Sequence, residues 1–112
     1  MLATAAPAKR TIPSTALSPD TFAHAVLRTS RFQDMIDWYL TVLNGKVVFC
    51  NDTLCFMTYD DEHHRLGIVN VPGLPPVDTA SARLGHLAYS YNDMGSLLST
   101  YRRLKAVGIV PF

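Results

Sequence analysis

Apolar and polar positions along this chain switch between two periods, and the switches come in a repeating order. Over residues 22–29 they alternate: Phe22, His24, Val26 and Arg28 share one face, and Ala23, Ala25 and Leu27 the other, which is the two-residue period of a strand. Ser30 follows as a candidate helix N-cap, with Gln33 placed to complete a capping box. Phe32, Met35, Ile36, Tyr39, Leu40 and Leu43 then recur at helical spacing, predicting a helix over 31–43 that Asn44-Gly45 ends. Three short apolar runs come next. They are residues 46–50, then 54–59 after the turn residues Asn51-Asp52-Thr53, then 63–71 after Asp60-Asp61-Glu62. The unit reads β-α-β-β-β.

A second unit begins the same way. Residues 72–82, Pro-rich at their start, hold neither period and mark a boundary. Residues 83–91 read as a strand with His86 at its centre. Asp93 then caps a helix over 94–107, with Met94, Leu97, Leu98, Tyr101 and Leu104 as its apolar stripe and Gly108 as its stop. From His24 to Gly45 is 21 positions and from His86 to Gly108 is 22, so the two units share a register. Only four residues follow Gly108, and the second unit stops after its helix. The expected architecture is α+β with five strands and two helices. It comprises a flexible tail (1–20), a first module (21–71), a linker (72–82) and an incomplete second module (83–112). The strand at 84–91 would be short of neighbours, and its open edge predicts a homo-oligomer.

Composition narrows the partners. Of 112 residues 48% are hydrophobic and 17% charged, with a net charge of +1, so no basic excess points to nucleic acid or to an anionic membrane surface. No apolar run approaches the roughly 20 residues that span a bilayer. Cys50 and Cys55 fit neither a zinc knuckle nor a redox C-x-x-C, and read as reduced core residues of a cytoplasmic protein. The first 20 residues are rich in Ala, Pro, Ser and Thr and hold no acid before Asp20. They lack the apolar run of a secretory signal, and a loose tail is preferred to an organelle transit peptide.

The candidate chemistry lies in histidines. A single mid-strand histidine is usually a packed or surface residue. Two at matching positions of a repeat differ, because pairing the two first strands brings them together. His24 and His86 are therefore candidate metal ligands, as neutral imidazoles; two histidines and a carboxylate on one face suit non-haem Fe(II). Alternation puts His64 on the face of Leu66 and Ile68, and His63 opposite. An apolar floor would lower the His64 pKa and the acidic turn would raise it, and sequence leaves the balance open. Tyr89 and Tyr91, opposite His86, read as packing or surface residues, and Asn70 as a strand-end hydrogen bond.

A tandem β-α-β-β-β repeat with a histidine on each first strand resembles the vicinal oxygen chelate superfamily, which includes glyoxalase I, bleomycin-resistance proteins and type I extradiol dioxygenases. The run Tyr59-Asp60-Asp61-Glu62-His63-His64-Arg65-Leu66-Gly67-Ile68, leading to Leu84-Gly85-His86-Leu87-Ala88-Tyr89, looks most like the extradiol, catechol-cleaving branch, where a His-His pair precedes the second metal-binding histidine. The resemblance covers residues 21–112. It implies His24 and His86 as two ligands of Fe(II) and His64 as the catalytic acid–base. The family's third ligand, a glutamate on the last strand of the second unit, has no counterpart in this sequence. The implied activity is ring cleavage of a small catechol-type aromatic by O2, impaired in this chain. Other branches imply a non-catalytic module that holds a small apolar ligand, or a glyoxalase-like isomerase or lyase using zinc or nickel.

Overall fold

Four of the expected strands and both helices form in the computed structural model, which describes Ala5 and residues 11–112. The order is β1 (Ala25–Thr29), α1 (Phe32–Leu43), β2 (Lys46–Cys50), β3 (Leu54–Thr58), β4 (Leu66–Asn70) and α2 (Met94–Ala106). A mixed sheet runs β1-β4-β3-β2, with β1 parallel to β4 and the other two pairs antiparallel. Of the segment expected as a tail, residues 1–4 and 6–10 fall outside the described residues; 11–20 are exposed and carry no helix or strand.

One face of the sheet packs on α1. Ala25 and Leu27 stand opposite Leu66 and Ile68, which in turn stand opposite Met57 and Cys55. Ile36 from α1 completes the buried cluster, and Phe32, Met35, Tyr39, Leu40 and Leu43 pack around it. The helical stripe in the sequence is thus the face that seals the sheet. Only five hydrophobic side chains among the described residues are buried, a small core for a chain of this length.

The start of α1 departs from the expected capping box. Arg31, not Ser30, is the N-cap and makes no side-chain cap bond. The buried Thr29 places its Oγ1 to accept from the Arg31 N–H at 2.8 Å, and Gln33 donates to Asp37 instead of reaching back. The other end behaves as read. Asn44 takes the left-handed conformation (φ 51°), and Gly45 passes so near β3 that a Cβ there would lie 2.8 Å from the Thr58 carbonyl oxygen. The expectation for Cys50 is corrected: Cys55 is in the core, but Cys50 is exposed on the edge strand β2, whose register breaks between Val47 and Phe49.

The fifth strand is also corrected. Residues 84–91 carry no helix or strand and pair with no strand among the described residues; a segment becomes a strand only when a neighbour takes its N–H and C=O groups. Within it, Leu87 reaches the core. Helix α2 forms as expected: Asp93 accepts from the Ser96 N–H at 2.7 Å, and Gly108 follows with φ 83°. None of its residues is buried. Arg103 ties it to α1 by donating to the Thr41 and Val42 carbonyls at 2.6 and 3.1 Å, two of the acceptors left free where a helix ends.

Candidate active site

The face of the sheet away from α1 carries Val26, Gly67, Phe56 and Phe49 in a row across the four strands. Gly67 lets that row close. A Cβ there would sit 3.2 Å from Phe56 Cε1 and 3.3 Å from Val26 Cγ2. Phe56 offers its ring to His64, which stacks on it at 4.0 Å between centroids and 19° between planes. His24 lies against the same imidazole at 4.1 Å. His63 stands nearly perpendicular to it, with the two Nδ1 atoms 2.9 Å apart.

His64 reaches this cluster by a route that alternation does not predict. The Leu66 and Ile68 face is the core against α1, so a strand register would have buried His64 there. Instead β4 starts only at Leu66, residues 59–63 form bends, and the two-residue period does not extend back through them. Asn70 is as expected, donating from Nδ2 to the Asp52 carbonyl at 3.0 Å.

Arg65 holds the two histidine-bearing segments together. Its Nη1 donates to the Phe22 and Ala23 carbonyls at 2.7 and 2.9 Å, just ahead of His24. Its Nε and Nη2 grip Asp60 at 3.1 and 2.9 Å, just ahead of the histidine pair. Asp60 also accepts from Thr58 Oγ1 and the Glu62 N–H. The Arg65 guanidinium is the main cause that holds the Asp60 carboxyl below its usual value. For His64, burial is the largest influence, followed by the charges of His24 and His63. Together they outweigh Glu62 and hold the imidazole below its ordinary value, so it is neutral at neutral pH.

His86 is exposed on the segment 84–91, where Tyr89 sets its ring edge-on to Tyr59 at 5.9 Å. The ring contacts of the described residues join His24 to His64, and none joins His24 to His86. Nor is any group of three His, Cys, Asp or Glu side chains among the described residues arranged to hold a metal ion. The side chains present therefore do not make an iron site by themselves. A cavity of about 860 Å³ lies between the end of α1, residues 89–93 and α2, and none of the four histidines lines it.

Sequence reasoning missed Phe56, Gly67 and the Arg65–Asp60 clamp. A glycine inside the apolar β4 run was a usable sign of close approach. The clamp had no local signature, because two of its acceptors lie more than forty residues away.

The sheet, its helix and the order of the histidines define a class. The family described as the Glyoxalase/Bleomycin resistance protein/Dioxygenase superfamily matches residues 21–111, and the chain belongs to it. Among its relatives, biphenyl-2,3-diol 1,2-dioxygenase 2 of Rhodococcus globerulus is 47% identical over 91 residues, covering 80% of this chain and 48% of the relative. Biphenyl-2,3-diol 1,2-dioxygenase 3 of the same organism is 40% identical over a stretch of the same length and coverage. The chain thus spans about half the length of the curated relatives it matches. A solved structure, the bleomycin resistance determinant encoded on transposon Tn5, superposes with a TM-score of 0.50 at 25% identity, over 82% of this chain and 68% of that one. No described helix is long and apolar enough to cross a membrane.

Proposed function

We propose that this chain supplies part of a cytoplasmic extradiol dioxygenase, which cleaves the ring of a small catechol-type aromatic with O2 and Fe(II). The names of the two Rhodococcus relatives and the order of the histidines support this reading. The observation that carries it is the stack of His64 on Phe56 and against His24. A neutral imidazole there stands beside a candidate metal ligand without taking its place. His24 and His86 are the proposed ligands, joined by a carboxylate from the part of the relatives' length that this chain does not span.

In this reading His64 takes the proton of a catechol hydroxyl at Nε2. That nitrogen has a free lone pair when the His64 proton sits on Nδ1, and in this reading Nδ1 of His63, 2.9 Å away, accepts it. Phe56 and Val26 give the aromatic substrate an apolar floor. Exposed apolar residues on β2 and α2 support self-association.

The test extends the chain with the remaining half of biphenyl-2,3-diol 1,2-dioxygenase 2. His64→Gln should leave iron content unchanged while ring cleavage falls about 10²–10⁴-fold, the usual worth of a positioned acid–base. His24→Ala should lose the iron. The likeness to the Tn5 resistance determinant favours one alternative, a module that holds an apolar ligand without chemistry. Ligand binding that survives both iron removal and His64→Gln, with no ring cleavage in the parent, would establish that alternative.

A further inference from the structure

We propose that Cys50 and Cys55 form a reversible oxidation site, in which peroxide attacks the exposed Cys50 and Cys55 resolves the product into a disulfide across the β2–β3 hairpin. The two residues are direct partners in the antiparallel ladder. The next pair towards the turn is a hydrogen-bonded rung, with the Asn51 N–H donating to the Leu54 carbonyl at 2.9 Å. Rungs alternate, so Cys50 and Cys55 occupy a non-hydrogen-bonded pair, where Cα atoms are about 4.5 Å apart and side chains are closest. A disulfide needs roughly 4.4–6.8 Å between Cα atoms. The turn fixes this alignment: Asn51 Oδ1 accepts from the Thr53 and Leu54 N–H groups at 2.9 and 2.8 Å.

Residues directly opposite in a ladder project from the same face, so both thiols lie on the α1 side. They differ sharply in access. Cys55 is fully buried and Cys50, on the edge strand, is exposed. The Cys50 thiol makes a weak contact, 3.9 Å to the Asn51 carbonyl, and lies near enough to the Cys55 thiol to interact with it through a hydrogen bond. Burial, with Cys50 as a lesser cause, pushes the Cys55 thiol up to about 12, which agrees with Cys50 reacting first.

The steps balance with hydrogen peroxide as the oxidant. The Cys50 thiolate attacks one peroxide oxygen; an S–O bond forms, the O–O bond breaks, and the leaving hydroxide takes up a proton as water. The Cys55 sulfur then attacks the Cys50 sulfur. An S–S bond forms, the S–O bond breaks, and hydroxide leaves with the Cys55 proton as a second water. Two thiols have lost two electrons and one peroxide has been reduced to two waters. Closing the disulfide also keeps Cys50 from further oxidation to the sulfinic acid, which thiols do not reverse.

The test uses the chain itself, reduced, freed of reductant, diluted and treated with hydrogen peroxide. Intact mass should fall by two hydrogens, both cysteines should resist alkylation, and dithiothreitol should restore both. Peptide mapping should join Cys50 to Cys55. In Cys50→Ser, an exposed change, the loss of two hydrogens should disappear. A wild-type product that instead carries added oxygen on Cys50 with Cys55 still open to alkylation on unfolding would overturn the proposal. So would a main product linked between chains.

Discussion

At the scale of single residues, the site depends on how Arg65 and Gly67 place their neighbours. The Arg65 side chain donates to Phe22, Ala23 and Asp60, not to His24 or His64, and these bonds bring the two histidine-bearing segments together. Asp60 makes this dependence sensitive to acid. Its folded pKa lies below the ordinary 3.8, so its stabilisation is present above that value and is lost as pH falls through the folded one. Asp60→Asn should therefore lower the urea midpoint at neutral pH, with the gap to wild type closing below about pH 3.8. A gap independent of pH would show that the ionised carboxylate contributes nothing to the clamp. Gly67→Ala should cost about 1–2 kcal/mol, because the added methyl meets Phe56 and Val26 at 3.2–3.3 Å and one of them has to move. Thermal denaturation measures it, and the stack under His64 should loosen with it. The identities of His24, His64 and His86 as candidates were legible in the sequence. The face of His64 was not, since a bend between strands erases the period on which such an assignment rests.

At the scale of elements, what could be read was what is local. Both helices came from a 3.6-residue period, and Asp93 and Asn44 mark ends by geometry within a few residues of themselves. The strand at 84–91 could not be read correctly, because strand formation requires a partner and the sequence of the segment does not contain one. Helix α2 lies between these cases. It forms, but with no buried residue its place depends largely on Arg103. Its amides should exchange with solvent faster than those of α1. Arg103→Ala should remove about 1–3 kcal/mol of what holds α2 to α1, the worth of charged hydrogen bonds to carbonyls. Hydrogen exchange by mass spectrometry checks this. Equal protection of α1 and α2 would mean that α2 is anchored by something other than Arg103.

At the scale of the whole molecule, the radius of gyration is 18.2 Å, against about 13 Å for a compact domain of this length. Val47, Val48 and Phe49 on β2, and Met94, Leu97, Leu98 and Tyr101 on α2, remain exposed. The chain should therefore be marginally stable alone and should self-associate. Sedimentation at rising concentration should show species heavier than the monomer, whereas a monomer that unfolds in one cooperative step would contradict this. The central claim concerns chemistry, and oxygen uptake tests it most directly. The chain joined to the part of its Rhodococcus relative that it does not span is loaded anaerobically with Fe(II) and mixed with biphenyl-2,3-diol and O2. The account predicts one O2 consumed per diol cleaved, with uptake suppressed in His64→Gln while iron remains bound. A folded, iron-loaded protein that takes up no oxygen, or one indifferent to His64→Gln, would contradict it.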